Sequence, residues 1–202
     1  MKKPYHHGDL REKLLAAATQ LIASGGVESL SIRKLADQVG VSRTAPYHHF
    51  KDKNELLCAI AEHGFQQQDQ LLSDIVTNPD HLSPAQLFQR YMLTYIQFAH
   101  SEQETYDLMY GREIWKTGQP TVSLQQVSKH SFRLWLEWIE ELQQADIFAS
   151  HDPALRIAQS SWASLHGLCR LFNDGIYVNR DDLEAIACTT LNLLLKPGIL
   201  DE

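Results

Sequence analysis

Cysteine is scarce in this sequence, with three residues in 202: Cys58, Cys169 and Cys188. Their small number and wide spacing exclude a disulfide framework and a paired-cysteine zinc site, and they favour a reducing compartment. No apolar run approaches the roughly 20 residues that a membrane-spanning helix needs. The first residues, MKKPYHHGDL, lack the apolar stretch of a secretory signal. The sequence therefore predicts a cytoplasmic protein without a membrane partner.

Positive charge is also in the minority, with 18 Lys and Arg against 25 Asp and Glu. The distribution is uneven, because residues 1–55 carry nine basic and six acidic side chains while the rest of the chain has a net charge of −10. Four of the ten histidines (His6, His7, His48 and His49) also lie in the basic part. A basic head on an acidic body suggests that one part of the protein meets a polyanion.

Strand-type alternation is absent over any useful length, whereas helix signals recur throughout the chain. Capping boxes occur at Asp9–Glu12, Asp52–Glu55 and Asp181–Glu184. A proline at the first helical position follows Ser83, and Gly25-Gly26 is expected to end the first helix. These signals predict an all-α fold of about nine helices. The expected helices begin near Asp9, Ser31, Ser42, Asp52, Ser83, Glu102, Thr121, Asp152 and Asp181, and the last runs to Lys196.

The most informative stretch is SIRKLADQVGVSRTAPYHHF, from Ser31 to Phe50. Its pattern predicts two short helices joined by a turn in which Gly40 adopts the left-handed conformation. Ser42 is expected to cap the second helix, which runs from Arg43 to about Phe50. This spacing is typical of a helix-turn-helix, whose second helix enters the major groove of DNA. The alternative is a tight helical hairpin that only packs inside the protein.

The region from about Asp9 to Leu57, including YHHFKDKNELL, resembles the DNA-binding domain of the TetR family of transcriptional regulators. Downstream, WASLHGL at residues 162–168 is similar to the Trp–His–Gly motif of one carboxy-terminal TetR subfamily. The resemblance implies a helix-turn-helix DNA-binding domain at residues 1–54 and a helical ligand-binding and dimerisation domain at residues 55–202. It further implies a dimeric, ligand-responsive regulator, a repressor, which binds a palindromic operator of double-stranded DNA and is released by a small-molecule effector.

The same resemblance implies specific DNA contacts. Arg43 would read guanine, while Thr44 and Ala45 would touch a thymine methyl. Phosphates and nearby base edges would be contacted by the other expected DNA-binding residues: Ser31, Arg33, Ser42, Tyr47, His48 and Lys53. Which of His48 and His49 points at DNA stays open, and Lys2 and Lys3 are expected to follow the DNA backbone. Pro46 departs from many members of the family, and a short or distorted recognition helix is the alternative that it raises.

Aromatic residues dominate the second part of the chain, and most of them are expected in the core. An apolar cavity with a few polar groups is what a small-molecule site requires. The subfamily resemblance places this site at Tyr95, Phe98, Tyr106, Met109 and Tyr110. His166 is expected to be an interior or interface histidine.

The last two helices are expected to form a four-helix bundle with their copies in a second subunit. In the homodimer, the two recognition helices would reach half-sites about 34–36 Å apart, or a multiple of that distance. The expected interface residues are Leu155, Ala158, Trp162, Leu165, Cys169, Phe172, Leu183, Ile186, Thr190 and Leu194. The alternative is a monomer whose helices pack only internally.

Motifs of catalysis are missing from the sequence. There is no Glu-x-x-His pair of a di-iron bundle, no Gly-x-Ser-x-Gly elbow and no phosphate-binding loop. The sequence therefore predicts no enzyme, no cofactor and no metal. Two alternatives to a ligand-controlled repressor stay open: a helical protein-interaction adaptor, and a transcriptional activator without a small-molecule inducer.

Overall fold

A computed structural model describes residues 7–148, 152–177, 182–196 and 199. Within these ranges the chain forms eight α-helices and no strand, which confirms the predicted all-α class. The helices are α1 (His7–Ser29), α2 (Ile32–Val39), α3 (Lys53–Thr77), α4 (Pro84–Ser101), α5 (Gln103–Tyr110), α6 (Val122–Gln144), α7 (Ala154–Asn173) and α8 (Leu183–Leu194). A 3-10 helix spans Ala45–His48, and a π-helical turn spans Glu113–Thr117. None of the described helices has the length and apolarity needed to cross a membrane.

Side-chain caps explain where several helices begin. At α3, the Glu55 amide donates to Asp52 Oδ1 at 2.8 Å, while Glu55 Oε2 accepts the Lys51 amide at 2.6 Å. At α4, Ser83 and Gln86 cap each other reciprocally, and Pro84 occupies the first helical position. Both starts were predicted from the sequence, because a cap needs only a short-range pattern of residues.

Other boundaries differ from the prediction. Helix α1 already includes His7, so Asp9 lies inside its first turn rather than before it. The regular helical path breaks at Gly25-Gly26 as expected, with Gly26 at φ 71°, but another turn follows up to Ser29. Helix α8 ends at Leu194 instead of Lys196. The expected cap at Asp181 and the basic arm at Lys2 and Lys3 lie outside the described residues.

The second helix of the expected helix-turn-helix is shorter than predicted. Instead of an α-helix from Arg43 to Phe50 that is capped by Ser42, the chain forms a 3-10 helix at Ala45–His48. The cause lies in Pro46, which has no N–H to donate to the Ser42 carbonyl; Ala45 donates to that carbonyl instead, at 3.0 Å. Pro46 itself is buried, and its carbonyl accepts the amide of Phe50 at 2.9 Å.

The chain divides into two compact units. Unit 1 contains residues 1–65 and 104–127, and unit 2 contains residues 66–103 and 128–202. Helices α3 and α6 each contribute to both units. The core of unit 1 includes Leu14, Leu35, Phe50, Leu56, Ile60, Tyr106, Met109 and Leu124; that of unit 2 includes Phe88, Met92, Trp135, Trp138, Ile139, Phe148, Leu165 and Leu191.

Candidate functional site

The turn after α2 has the geometry of a helix-turn-helix. The Lys34 amide donates to Ser31 Oγ at 3.2 Å, so Ser31 caps α2, which begins where the sequence predicts a helix start. Gly40 ends the helix at φ 75°, a left-handed conformation that costs least at glycine. The Val41 amide then donates back to the Ala36 carbonyl at 3.0 Å. This hydrogen bond between residues five positions apart is typical of helices that end at a left-handed glycine.

The side chains of this motif separate into a buried set and an exposed set. Ile32, Leu35 and Ala36 are buried, which holds α2 against α1. The side chains of Ser31, Arg33, Ser42, Arg43, Thr44, Tyr47 and His48 are exposed, and Ala45 is half-buried. Tyr47 is 56% exposed, so its ring and hydroxyl are both accessible to a partner.

The segment from Ser42 to Phe50 is here called the recognition segment. Contacts with the core of unit 1 hold it in place. Phe50 is buried, and the Arg11 guanidinium of α1 lies 5.5 Å from its ring centroid. Ser42 Oγ and Thr44 Oγ1 share a hydrogen bond of 3.1 Å at the start of the segment. His48 is exposed, whereas His49 is half-buried and its ring lies against Phe50 at 6.4 Å between centroids. His48 is therefore the histidine that is accessible to an external ligand.

Lys53 has a partner inside the protein. Its Nζ donates to the Val27 carbonyl at 2.6 Å, which ties the start of α3 to the turn that follows the break in α1. Lys34 Nζ donates to the Ser29 carbonyl of the same turn at 3.3 Å. The Val27 carbonyl also accepts the Leu30 amide at 3.2 Å, so the Lys53 ammonium is its second donor, and both lysines bind carbonyls at the end of α1.

A row of side chains on α3, which the sequence did not single out, holds the chain before α6. We call Asn54, Cys58 and Glu62 the α3 row. Asn54 Nδ2 donates to the Gln119 carbonyl at 2.8 Å, and the Gln119 amide donates back to Asn54 Oδ1 at 3.2 Å. Glu62 Oε1 accepts the Thr121 hydroxyl at 3.1 Å. Between them, Cys58 is fully buried, and this burial raises the pKa of its thiol.

The five residues expected to bind the effector lie in different units. In unit 1, Tyr106 and Met109 are fully buried, and Tyr110 packs edge-on against Tyr106 with 5.0 Å between ring centroids. In unit 2, Tyr95 is buried beside Tyr91. Phe98 lines an open groove of about 410 Å³ between α3 and α4. The other lining residues are Gln67, Gln70, Leu71, Thr94, Gln97, Ser101 and Glu102.

Two polar groups interrupt the aromatic core of unit 2. Burial raises the pKa of the half-buried Asp69 carboxyl, although a hydrogen bond with Ser131 and the nearby His130 act in the opposite direction. Burial also raises the pKa of Tyr91 well above its ordinary value, so its phenol stays neutral. The Tyr91 ring packs against Trp135 and Trp138 at centroid distances of 5.3 and 5.4 Å.

The expected dimer residues on α7 and α8 need a correction. Ala158, Leu165 and Cys169 are buried inside the protomer, so they belong to its core and not to a partner-facing surface. Ala158 also receives a hydrogen bond from Trp135 Nε1 at its carbonyl, at 3.0 Å. Leu155 is exposed, and the others are half-buried: Trp162, Phe172, Leu183, Ile186, Thr190 and Leu194.

The accessible side of α7 lies about half a turn away from the predicted one. It carries Ser160, Ala163, Ser164 and the half-exposed Gly167, which we call the outer face of α7. A Cβ atom added to Gly167 would meet no atom within 4 Å. On α8, Leu193 is 82% exposed. The sequence reasoning missed this face because it followed large apolar residues, whereas the exposed side consists mainly of small ones.

His166 lies beside this outer face. Its ring stacks on Trp162 one turn earlier, with 5.8 Å between centroids. Burial, with a smaller effect of Arg170, lowers the pKa of the imidazole and favours its neutral form. The histidine is half-buried, at the edge of the core rather than deep inside it.

Among the described residues, no group of three or more His, Cys, Asp or Glu side chains is placed to hold a metal ion.

Comparison with known proteins adds two matches to family models. Residues 14–60 match the model described as bacterial regulatory proteins of the tetR family. Residues 88–193 match the tetracyclin repressor-like, C-terminal domain.

Among individual proteins, the tetracycline repressor protein class C of Escherichia coli is 44% identical over 52 residues, which are 26% of this chain and 24% of that protein. The HTH-type transcriptional repressor AcnR of Corynebacterium diphtheriae is 41% identical over 51 residues, 25% of this chain and 27% of that protein. The chain thus spans about a quarter of the length of these curated relatives.

One solved structure, of a protein with unknown function from Rhodococcus sp. RHA1, is similar over almost the whole chain. It is 32% identical, its TM-score is 0.78, and the match covers 96% of this chain and all of that one. The second family model alone covers more than half of the present sequence. Members of the matched family are DNA-binding transcription factors and not enzymes. The chain belongs to the TetR family of transcriptional regulators.

Proposed function

We propose that this protein is a dimeric repressor that binds an operator through its helix-turn-helix and leaves it when a small molecule binds the body. The observation that carries the proposal is the exposed set around the recognition segment, above all Arg43, Tyr47 and His48. The names of the two curated relatives, both repressors, support repression over activation. The site of action would be the cytoplasm, where the operator is.

At the operator, contacts with base edges provide sequence preference, and contacts with phosphates provide affinity and position. Arg43 and Thr44 read base edges in the major groove, with the guanidinium able to bond a guanine at two atoms. Ser31, Arg33, Tyr47 and His48 bind phosphates and set the register on the duplex. Lys53 keeps two N–H groups beyond its bond to Val27, and one of them reaches a further phosphate. The shortened 3-10 helix brings Arg43 and Thr44 to DNA from the turn before it.

The effector enters the body, where the groove lined by Phe98 offers an accessible opening of about 410 Å³. That volume lies within the range of small-molecule sites in proteins. Phe98 and Leu71 give it an apolar surface, and the surrounding amides and hydroxyls give it hydrogen-bonding groups. A coupling free energy of about 1–3 kcal/mol between effector and operator weakens DNA binding roughly 5- to 150-fold, which is enough to switch a promoter.

The dimer is built on the outer face of α7 together with α8. Small residues such as Ala163 and Gly167 allow two helices to approach closely, and exposed Leu193 gives α8 an apolar surface to bury. A two-fold symmetric pair presents two recognition segments to the two halves of a palindrome.

Fluorescence anisotropy with labelled duplexes from the DNA upstream of its own gene tests DNA binding. We expect specific binding that weakens steeply as salt rises, because phosphate contacts release counterions. Arg43→Ala should lower the preference for the specific duplex over a random one by about 5- to 150-fold, the equivalent of ~1–3 kcal/mol. Arg133→Ala, which removes the same charge from an exposed position on α6, is the matched control.

Two results would argue against the proposal. Absence of binding to any duplex at low salt would remove the DNA-binding function altogether. Equal losses on specific and random duplexes for Arg43→Ala would leave a DNA-binding protein in which Arg43 contacts only phosphate.

A further inference from the structure

Unit 2 contains a second, more enclosed cavity, away from the groove at Phe98. It measures about 260 Å³ and lies where the end of α4, the end of α7 and the start of α8 meet. The lining residues are Ile96, His100, Cys169, Phe172, Asn173, Gly175, Tyr177 and Leu183. The proposed repressor mechanism makes no use of this cavity.

Three polar side chains that line the cavity can each donate a hydrogen bond. His100 donates in either protonation state, and the Tyr177 hydroxyl is a second donor. The Asn173 amide uses one N–H on the Ala99 carbonyl at 2.8 Å, which leaves its other N–H. Among the described residues that line the cavity there is no carboxylate. A site whose described lining has several donors and no acidic group is complementary to an acceptor-rich or anionic ligand.

The apolar part of the lining favours a flat ring. Phe172 and Tyr177 meet edge to face, with 5.4 Å between centroids and 76° between planes. Such a corner of two rings packs a third aromatic ring in the offset or edge-on geometry that aromatic groups prefer. At ~30 Å³ for each water-sized group, the cavity holds roughly nine non-hydrogen atoms, which is the size of benzoate.

We propose that this cavity is a binding site for a small aromatic carboxylate, with its ring against Phe172 and Tyr177 and its carboxylate at His100 and Asn173. The site is separate from the effector groove, and its occupation is measured by binding alone. A failure here therefore leaves the proposed function as a repressor untouched, and the converse also holds.

Calorimetric titration of the full-length protein with benzoate, benzyl alcohol and benzylammonium tests the proposal. The three probes share one ring and differ in the charge of the polar group. We expect benzoate to bind at least tenfold more tightly than benzylammonium, because the described lining residues include several donors and no carboxylate. His100→Gln should weaken benzoate about fivefold, since it removes a donor that can carry charge, and should leave benzyl alcohol within twofold.

Two further variants locate the binding. Leu183→Trp is designed to fill the cavity and should abolish the binding of benzoate. His63→Gln, an exposed histidine of unit 1, should bind benzoate like the wild type. If Leu183→Trp does not fold by circular dichroism, the comparison of His100→Gln with His63→Gln decides. Equal affinity for benzylammonium, unchanged benzoate binding in His100→Gln, or no binding of any probe would overturn the proposal.

Discussion

Lys53 serves the fold of the head as well as its proposed contact with DNA. Its ammonium group donates to the Val27 carbonyl at 2.6 Å and keeps further N–H groups for a phosphate. We therefore expect Lys53→Met to have two effects. The melting temperature should fall by several degrees, since a hydrogen bond to a charged group contributes about 1.5–3 kcal/mol and this one is only partly buried. The slope of log affinity against log salt should also decrease in magnitude by about 0.9.

Differential scanning fluorimetry and salt titrations of operator binding separate the two effects. Lys51→Met is the matched control, because Lys51 is exposed and its side chain has no described hydrogen bond. We expect Lys51→Met to leave the melting temperature unchanged. A wild-type melting temperature in Lys53→Met would show that the Val27 bond contributes nothing to stability, and an unchanged salt slope would remove Lys53 from the phosphate contacts.

Single residues also explain which parts of the site were predictable. Ser31 and Gly40 act within their own turn, so the sequence predicted their conformations correctly. Pro46 raises a shortened helix as the alternative to a regular α-helix in this segment. The structure has the shortened form, because Pro46 has no N–H to donate to the Ser42 carbonyl and Ala45 donates there instead. The bond from Lys53 to Val27 joins residues 26 positions apart and has no local signature.

Among the elements, the first half of α3 makes several hydrogen bonds to a part of the chain that is distant in sequence. Its row of Asn54, Cys58 and Glu62 holds the chain that leads into α6, through the paired bonds of Asn54 and Gln119 and the bond of Glu62 to Thr121. Gly118 is required at this approach, because a Cβ there would lie 2.5 Å from the Glu113 carbonyl oxygen and 2.6 Å from Asn54 Oδ1. The α3 row thus fastens the start of α6 beside the residues that begin α3, within one unit.

Asn54→Ala removes both bonds to the Gln119 backbone. At ~1 kcal/mol for each bond, the loss of about 2 kcal/mol should lower the melting temperature by roughly 4–8 °C. Hydrogen exchange followed by mass spectrometry should show faster exchange at residues 118–121, with the rest of α6 protected as before. The control is Gln126→Ala, which removes an exposed amide from the first turns of α6. Unchanged exchange at residues 118–121 would contradict a holding role for Asn54.

At the level of elements, the positions of the helices were predictable from the sequence. Which face of a helix is exposed was harder to predict. Apolar spacing and caps located most helices within a few residues, since each signal lies inside its own helix. Which face of α7 is free depends on the helices that cover the other faces. The sequence correctly predicts that the face of α7 with Ala158, Leu165 and Cys169 is apolar and becomes buried. In the structure, α4 and other parts of unit 2 cover this face within the same protomer. Periodicity identifies a buried face without identifying the chain that buries it.

For the whole molecule, the pairing of two copies determines how many half-sites of an operator the protein can bind. A monomeric head meets a single half-site, whereas a pair meets both halves of a palindrome and adds their binding free energies, less the cost of holding the two heads together. The outer face of α7 and exposed Leu193 are two described surfaces of unit 2 that suit such pairing. Their small residues leave room for a partner helix at close distance.

Gly167→Glu tests this pairing with little disturbance of the protomer. A Cβ at Gly167 meets no atom within 4 Å, and glutamate favours helix more than glycine does, so the variant should fold at least as well as the wild type. Across a two-fold interface it places two carboxylates close together and fills the space of the partner helix. We expect sedimentation equilibrium to give twice the chain mass of 23.0 kDa for the wild type and a single chain mass for Gly167→Glu. Operator affinity should fall with it, while Ser123→Glu, an exposed position on α6, should leave both unchanged. A variant that remains a dimer would place the interface on another surface.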